Sequence, residues 1–238
     1  MKILAIDASG IAASVAILED DKIVAEYTIN YKLTHSQTLM PMINEISQMV
    51  DLDLSSIDAI AITSGPGSFT GLRISAGTAK GMAFGLDIPI VEIPTLDAIA
   101  HNIPYTEHSL CPIMDARREH VYTATYKWKD GVLKRMTDYQ VIPMKHVIEN
   151  IKAEDNKTIF LGDGIDVYKE MISKEIGEIS YFAPPSLRLQ RAATVALMAM
   201  EKFQRGETVS HMEFAPTYLR PSQAEREYNE KAKRKNND

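Results

Sequence analysis

The residues with the clearest chemical potential form a glycine-rich word, SGPGSFTGLR, at residues 64–73. It follows an apolar run at 57–63 that is typical of a buried strand, and Ser68 is a suitable N-cap for a helix. Glycines such as Gly65 and Gly67 let a backbone turn sharply, and a helix N-terminus attracts phosphate through its free N–H groups. The word predicts either an anion site or a tight turn packed on a neighbouring element, and its spacing leaves both open.

Acidic residues at two predicted strand ends form a second candidate. Asp7 ends the first strand of the chain, and Asp115 ends a similar apolar strand that begins near Leu110. Carboxylates in such positions either act on a ligand between two halves of a protein or serve as turn acids. The predicted nucleotide or phosphate set comprises Asp7, Ser9, Gly65, Gly67, Asp115, Gly162 and Gly164.

Several catalytic site types have no counterpart in the sequence. None of the 6 histidines forms an H-x-x-H or H-x-x-x-H pair, and Cys111 is the only cysteine, so no metal site is predicted. The sequence also lacks a G-x-S-x-G elbow and a P-loop lysine. We therefore assign no catalytic residue and no metal ligand, and we expect no cofactor of the chain's own.

Composition limits the kind of partner and the compartment. The 238 residues are 45% hydrophobic and 24% charged, with a net charge of −6. Proteins that bind RNA by themselves usually carry a basic surface, so any contact with RNA is expected to be indirect. The first apolar run is interrupted at Asp7, and no stretch reaches the roughly 18 apolar residues of a membrane helix. We expect a cytoplasmic protein without membrane contact, which a single cysteine also suits.

The order of predicted elements is β-β-β-α-β-α, and it occurs twice. In the second half, the turn Asp130-Gly131 is expected to precede the third strand. The repeat predicts an α/β protein with two similar halves and mixed sheets. The predicted parts are a first domain at 1–103, a divergent second domain at 104–221 with a helix at 188–203 that packs back on the first, and a charged, disordered tail at 222–238.

Two helices of the first half, at 36–50 and 69–85, have features suited to a partner. In the second of them Gly77 and Gly81 recur at a spacing of four, although interior glycine costs about 1 kcal/mol relative to alanine. Close approach of another backbone would offset that cost. The first has an apolar arc wider than one buried stripe requires. Packing on the chain's own sheet is the alternative for both. The predicted partner face comprises Leu39, Met42, Ile43, Ile46, Met49, Arg73, Gly77 and Gly81.

Several words of the sequence resemble the TsaB family, also called YeaZ. They are IDAS at 6–9, HSQTLMP at 35–41, SGPGSFTGLR at 64–73, PTLDA at 94–98 and PTYLR at 216–220. The resemblance covers nearly the whole chain. It implies the two-half, actin-like ATPase (ASKHA) fold and an inactive paralogue of the catalytic subunit TsaD. The metal pair of TsaD would fall near Thr95 and Ile99, which are not suitable ligands.

The resemblance also implies a function in making N6-threonylcarbamoyladenosine, the modified adenosine next to the tRNA anticodon. It implies that the chain supports a TsaD-like catalytic subunit through the helices of its first half, and that a TsaE-like ATPase joins the complex. It further implies a homodimer when the chain is alone. ATP is expected to bind weakly at most, or at an interface of the complex. A glycoprotease-like metallopeptidase and an actin-like ATPase or kinase are the alternatives.

Overall fold

A computed structural model describes residues 1–31 and 34–221, which form two sheets covered by helices. The predicted tail at 222–238 lies outside the described residues. In the first half the elements are β1 (Lys2–Asp7), β2 (Ala13–Glu19), β3 (Lys22–Ile29), α1 (His35–Met49), β4 (Ala59–Gly65), α2 (Phe69–Leu86), β5 (Ile90–Pro94) and α3 (Thr95–His101).

The second half has more strands than the first. Its elements are β6 (Ser109–Asp115), β7 (His120–Thr123), β8 (Tyr126–Lys129), β9 (Val132–Arg135), β10 (Gln140–Pro143), α4 (Met144–Glu154), β11 (Thr158–Leu161), α5 (Gly164–Ile176), β12 (Ser180–Phe182) and α6 (Ala192–Gln204).

The two sheets share one topology. The first has the strand order β3-β2-β1-β4-β5, and the second has the order β10-β7-β6-β11-β12. In each, an antiparallel pair is followed by parallel pairing of the central strands, so both sheets are mixed. The prediction of two similar α/β halves is confirmed.

The second half differs from the predicted repeat at one point. The turn Asp130-Gly131 joins β8 to β9, and this hairpin meets the main sheet where Tyr126 is paired with Leu110. The third strand of the repeat is β10 instead, which pairs with β7. A polar two-residue turn between apolar runs identifies a hairpin, but it does not identify which strand of the sheet the hairpin extends.

The central strands of the first sheet are buried on both faces. One face packs against α1 and α2, and the other packs against α6. This double cover explains why β1 and β4 are continuous apolar runs rather than alternating ones. The predicted helix at 188–203 is observed as α6, four residues later at its start, and it packs on the first sheet as expected.

Polar contacts join α6 and α3 to the rest of the molecule. The amides of Ala192 and Ala193 donate to Ser14 Oγ and Glu26 Oε1, at 2.9 and 3.0 Å. On α3, Asp97 Oδ1 accepts from the hydroxyls of Tyr126 and Tyr139, at 2.7 and 2.8 Å. The two halves are therefore joined through backbone amides at the start of α6 and through the Asp97 side chain of α3. Within the described residues, no helix is both long and apolar enough to cross a membrane.

Candidate functional site

The glycine word forms the turn from β4 into α2, and it packs tightly against the loop after β1. A Cβ at Gly67 or Gly71 would collide with the carbonyl oxygen of Ser9 or Ala8, respectively. Ser68 N donates to Ser9 O at 2.7 Å, and Ser68 Oγ accepts from Gly71 N at 3.2 Å as the predicted N-cap. These contacts are those of a strand-to-helix turn that requires close backbone approach. The anion site remains a prediction.

Asp7 lies at the end of β1 and is completely buried. Its Oδ1 accepts from Ser9 N, Ser9 Oγ and Thr63 Oγ1, at 2.9, 2.6 and 3.0 Å. Burial raises the pKa of the Asp7 carboxyl, and the hydrogen bonds from Ser9 and Thr63 oppose that rise. Asp7 Oδ2 has no hydrogen-bond partner among the residues that the structure describes. This geometry fits a turn acid that orders the loop after β1.

The equivalent place in the second half is built from two acids. Asp115 N donates to Asp163 Oδ1 at 3.0 Å, and Asp115 Oδ2 is paired with Arg117 at 3.2 Å. Burial, with the charge of Asp115 as a smaller cause, raises the pKa of Asp163 to about 6. A Cβ at Gly162 or Gly164 would collide with the carbonyl oxygen of a β6 residue, so both glycines allow close packing.

A cleft of about 300 Å³ lies between the halves. From the predicted nucleotide set, the structure brings Ser9, Gly67 and Asp115 to the walls of this cleft. The other members of the set, Asp7, Gly65, Gly162 and Gly164, are not among its lining residues. The cleft has a further wall that sequence reasoning missed, formed by residues 217–221. Most of this wall is the PTYLR word at 216–220, whose sequence indicates a family resemblance but not a place in the cleft.

The outer surface of the first half is formed by α1 and α2. The two helices begin side by side, since a Cβ at Gly71 would lie 3.3 Å from His35 Cδ2. On α2, the exposed residues include Arg73, Gly77, Gly81 and Phe84. Three residues of the predicted partner face, Gly77, Gly81 and Arg73, therefore lie on the surface.

Four residues of the predicted partner face are not on the surface. On α1, Met49 is 81% exposed, whereas the other predicted residues are at most 4% exposed. They lie in the core of the first half, where α1 packs on β2, β3 and α2. The apolar arc of α1 is wide because one side of it fills the core and the other carries exposed methionines. The buried residues are Leu39, Met42, Ile43 and Ile46.

The positions expected to replace the TsaD metal pair lie in α3. Thr95 and Ile99 are both fully buried, between the two halves. Across residues 1–31 and 34–221, no group of three or more His, Cys, Asp or Glu side chains is arranged to hold a metal ion.

Comparison with known proteins identifies the family. A family model described as TsaD, tRNA N6-adenosine threonylcarbamoyltransferase, matches residues 22–228. The tRNA threonylcarbamoyladenosine biosynthesis protein TsaB of Bacillus subtilis is 33% identical over 98% of this chain and 100% of that protein. TsaB of Escherichia coli is 30% identical over 92% of this chain and 95% of its own.

A solved structure agrees with the sequence relatives. YeaZ from Pseudomonas aeruginosa superposes with a TM-score of 0.76 at 28% identity, covering 92% of this chain and 99% of that one. The same fold therefore extends over both halves of the two proteins. Because the family model and the full-length relatives agree, this chain belongs to the TsaB family, also called YeaZ.

Proposed function

We propose that this chain is a non-catalytic subunit of the machinery that makes N6-threonylcarbamoyladenosine in tRNA. Its relatives are named tRNA threonylcarbamoyladenosine biosynthesis proteins. In this proposal the chain binds and supports a TsaD-like catalytic subunit, which transfers threonylcarbamoyl to the adenosine next to the anticodon. The observation that carries the proposal is the bare outer surface of α2.

That surface contains glycines that the chain's own fold does not require. A Cβ added at Gly77, Gly81 or Gly85 would meet no atom within 4 Å. Alanine at each position would favour the helix by about 1 kcal/mol, so an isolated subunit gains nothing from glycine there. A second backbone that packs directly on α2 would account for all three. Phe84, which is 71% exposed, and Arg73 are of residue types that are enriched at protein–protein interfaces.

Exposed methionines on α1 extend the same proposed face. Met49 is 81% exposed, and Met40 on the same helix is 51% exposed. Methionine side chains adapt to partners of different shape. This adaptability suits a face that receives a catalytic subunit in the complex and a second copy of the chain when it is alone.

The cleft fits a nucleoside triphosphate poorly, so we propose at most weak ATP binding by this chain. The cations that line it are already engaged: Arg117 is paired with Asp115, and Arg220 donates to the carbonyl of Ala116. The carboxylates of Asp115 and Asp163 would repel phosphate. ATP that binds instead at an interface of the complex, which includes a TsaE-like ATPase, is consistent with the side chains that line this cleft.

Charge and composition support the rest of the proposal. A net charge of −6 disfavours independent tRNA binding, so the catalytic partner is proposed to make most contacts with the RNA. A cytoplasmic setting follows from a tRNA substrate and suits the single, buried Cys111. The metallopeptidase and kinase alternatives are not favoured, because the family to which the chain belongs is one of tRNA modification.

The test is the amount of the modified nucleoside in bulk tRNA from cells depleted of this protein. Depletion is expected to lower N6-threonylcarbamoyladenosine, measured by nucleoside mass spectrometry, and the wild-type gene is expected to restore it. Gly81→Arg should fail to restore it, whereas the matched control Val167→Arg, on the exposed side of α5, should succeed. Unchanged nucleoside on depletion would reject the function, and rescue by Gly81→Arg would reject the proposed face.

A further inference from the structure

A C-terminal strap, defined here as residues 214–221, crosses the cleft between the halves. It is anchored in the first half by Phe214, which is 2% exposed in the core, and Lys80 Nζ donates to Phe214 O at 2.9 Å. Further along, Thr217 N donates to Ser64 O at 2.7 Å. The strap therefore forms a backbone hydrogen bond to the end of β4, inside the glycine word.

Gly65 lies directly against this strap. Its φ of 113° lies in a region that favours glycine, and a Cβ there would collide with the carbonyl oxygen of Thr217. The other glycines of the word, Gly67 and Gly71, face the loop after β1 instead. One glycine of the word thus lies against the strap, where both its backbone conformation and the close approach of Thr217 exclude a side chain.

The far end of the strap holds the second half. Arg220 Nη1 donates to Ala116 O at 2.6 Å. The next three residues, Arg117, Arg118 and Glu119, have φ values of 64°, 54° and 61°. Left-handed backbone is unfavourable for non-glycine residues, so such a turn persists only where its surroundings support it. The Arg220 hydrogen bond supplies part of that support.

The strap also contacts the outer face of α2. The Tyr218 ring lies 4.6 Å from the Phe69 ring, measured between centroids, and Tyr218 Oη accepts from Arg73 Nε at 3.3 Å. The Arg73 guanidinium in turn lies 4.0 Å from the Phe69 ring centroid. One side chain of the proposed partner face, Arg73, is therefore in direct contact with the segment that forms one wall of the cleft.

We propose that the strap is a removable cover that closes one side of the cleft, and that a partner docked on α2 senses the closed position of the strap through Arg73 and Tyr218. The first part depends only on the contacts of the strap. The second part rests on the proposed function, because it takes α2 as the docking face. A strap that leaves the cleft would release Tyr218 from Arg73 and alter the surface that the partner meets.

The first experiment measures access to the cleft in the full-length chain. Ala116→Cys places a thiol in the cleft wall, and its reaction with dithiobis-nitrobenzoate is followed by absorbance. Cys111 is fully buried, and burial raises the pKa of its thiol to about 12, so the wild-type chain serves as the blank. Adding Tyr218→Ala and Arg220→Ala should raise the labelling rate by about tenfold, since two anchoring contacts are lost.

Two controls keep this result interpretable. Circular dichroism confirms that the triple variant is folded, and Tyr218→Phe, which retains the ring contact with Phe69, should raise the rate less than the double change does. A labelling rate that is the same with and without the strap anchors would overturn the proposal that the strap closes the cleft.

The second experiment adds the TsaD-like catalytic subunit to the labelling reaction. Binding should slow labelling of the Ala116→Cys chain, because a docked partner holds Arg73 against Tyr218. Tyr218→Phe should abolish this slowing, and Tyr105→Phe, a change on an exposed tyrosine away from the cleft, should leave it intact. A partner that binds without altering the rate would overturn the coupling and spare the proposed function. Failure of the partner to bind the wild-type chain would overturn both.

Discussion

The helices α2 and α5 occupy the same place in the two halves, yet their outer faces differ in chemistry. Each follows the central parallel strand of its sheet through a glycine turn, and each buries an apolar face on that sheet. Outside, α2 shows glycines, Arg73 and Phe84, whereas α5 shows mostly charged residues such as Lys169, Glu170, Lys174 and Glu175. The inner faces of both helices are apolar because the fold packs them on a sheet. The outer faces differ, and in our proposal only that of α2 binds a partner.

The comparison predicts that core positions respond alike in the two halves. Met42 on α1 and Ile148 on α4 are 2% and 4% exposed. Alanine at either position should lower the free energy of unfolding by about 2–5 kcal/mol, because each change leaves a cavity. Met49→Ala, on the exposed side of α1, should change it by less than about 0.5 kcal/mol. Urea denaturation measures all three, and a large effect of Met49→Ala would mean that α1 has no free outer side.

The outer faces should respond differently to one change. Gly77→Arg on α2 should weaken binding of the TsaD-like subunit by at least about 2 kcal/mol, or roughly thirtyfold in affinity, as at a hot spot. Val167→Arg on α5 should leave the affinity unchanged. Isothermal titration calorimetry with purified subunits separates the two variants. Equal affinities would contradict the assignment of the partner face to the first half.

The acids near the central strands provide a third contrast, since Asp7 accepts hydrogen bonds from Ser9 and Thr63, whereas Asp163, at the start of α5, lies beside Asp115. The pKa of Asp163 is raised from 3.8 to about 6, so its ionised form opposes folding. The favourable contribution of Asp163 is present below about pH 4 and is lost as the pH rises through about 6, which corresponds to about 2–3 kcal/mol. The unfolding free energy of the wild type should therefore decrease between about pH 4 and 6 because Asp163 ionises, and Asp163→Asn should remove this decrease.

Urea titrations at several pH values between about 4 and 7.5 measure this contribution. The exposed Asp138→Asn variant is the matched control and should follow the wild-type pH dependence. If the unfolding free energy depends on pH equally in the wild type and in Asp163→Asn, ionisation of the Asp163 carboxyl does not destabilise the fold.

The smallest effect concerns the starts of the two helices. Ser68 caps α2 through its side chain, whereas the Asp163 side chain makes no cap bond to α5. Ser68→Ala should lower the free energy of unfolding by about 1 kcal/mol. Ser173→Ala, at an exposed position within α5, should change it by less than about 0.5 kcal/mol. Thermal unfolding of both variants checks the difference, and indistinguishable midpoints would mean that the cap contributes nothing.

Local patterns were sufficient for much of this structure. Apolar runs identified the central strands, Ser68 was recognised as a cap, and the repeated element order indicated the two halves. The period of α1 marked Met42 and Met49 as apolar but could not say which of them faces the core, because a core and a partner select the same residue types. The strap was missed because Thr217 and Ser64 lie far apart in the sequence, and no local rule connects them.

The position of α6 has a consequence for how the protein is made. This helix covers the back of the first sheet, yet it ends at Gln204, about 100 residues after the last element of the first half. At a synthesis rate of about 5–20 residues per second, that face waits roughly 5–20 seconds on the ribosome before its cover emerges. During that interval the nascent chain exposes an apolar sheet face that includes Ile3, Leu18, Val91 and Ile93, which is the kind of surface that chaperones shield.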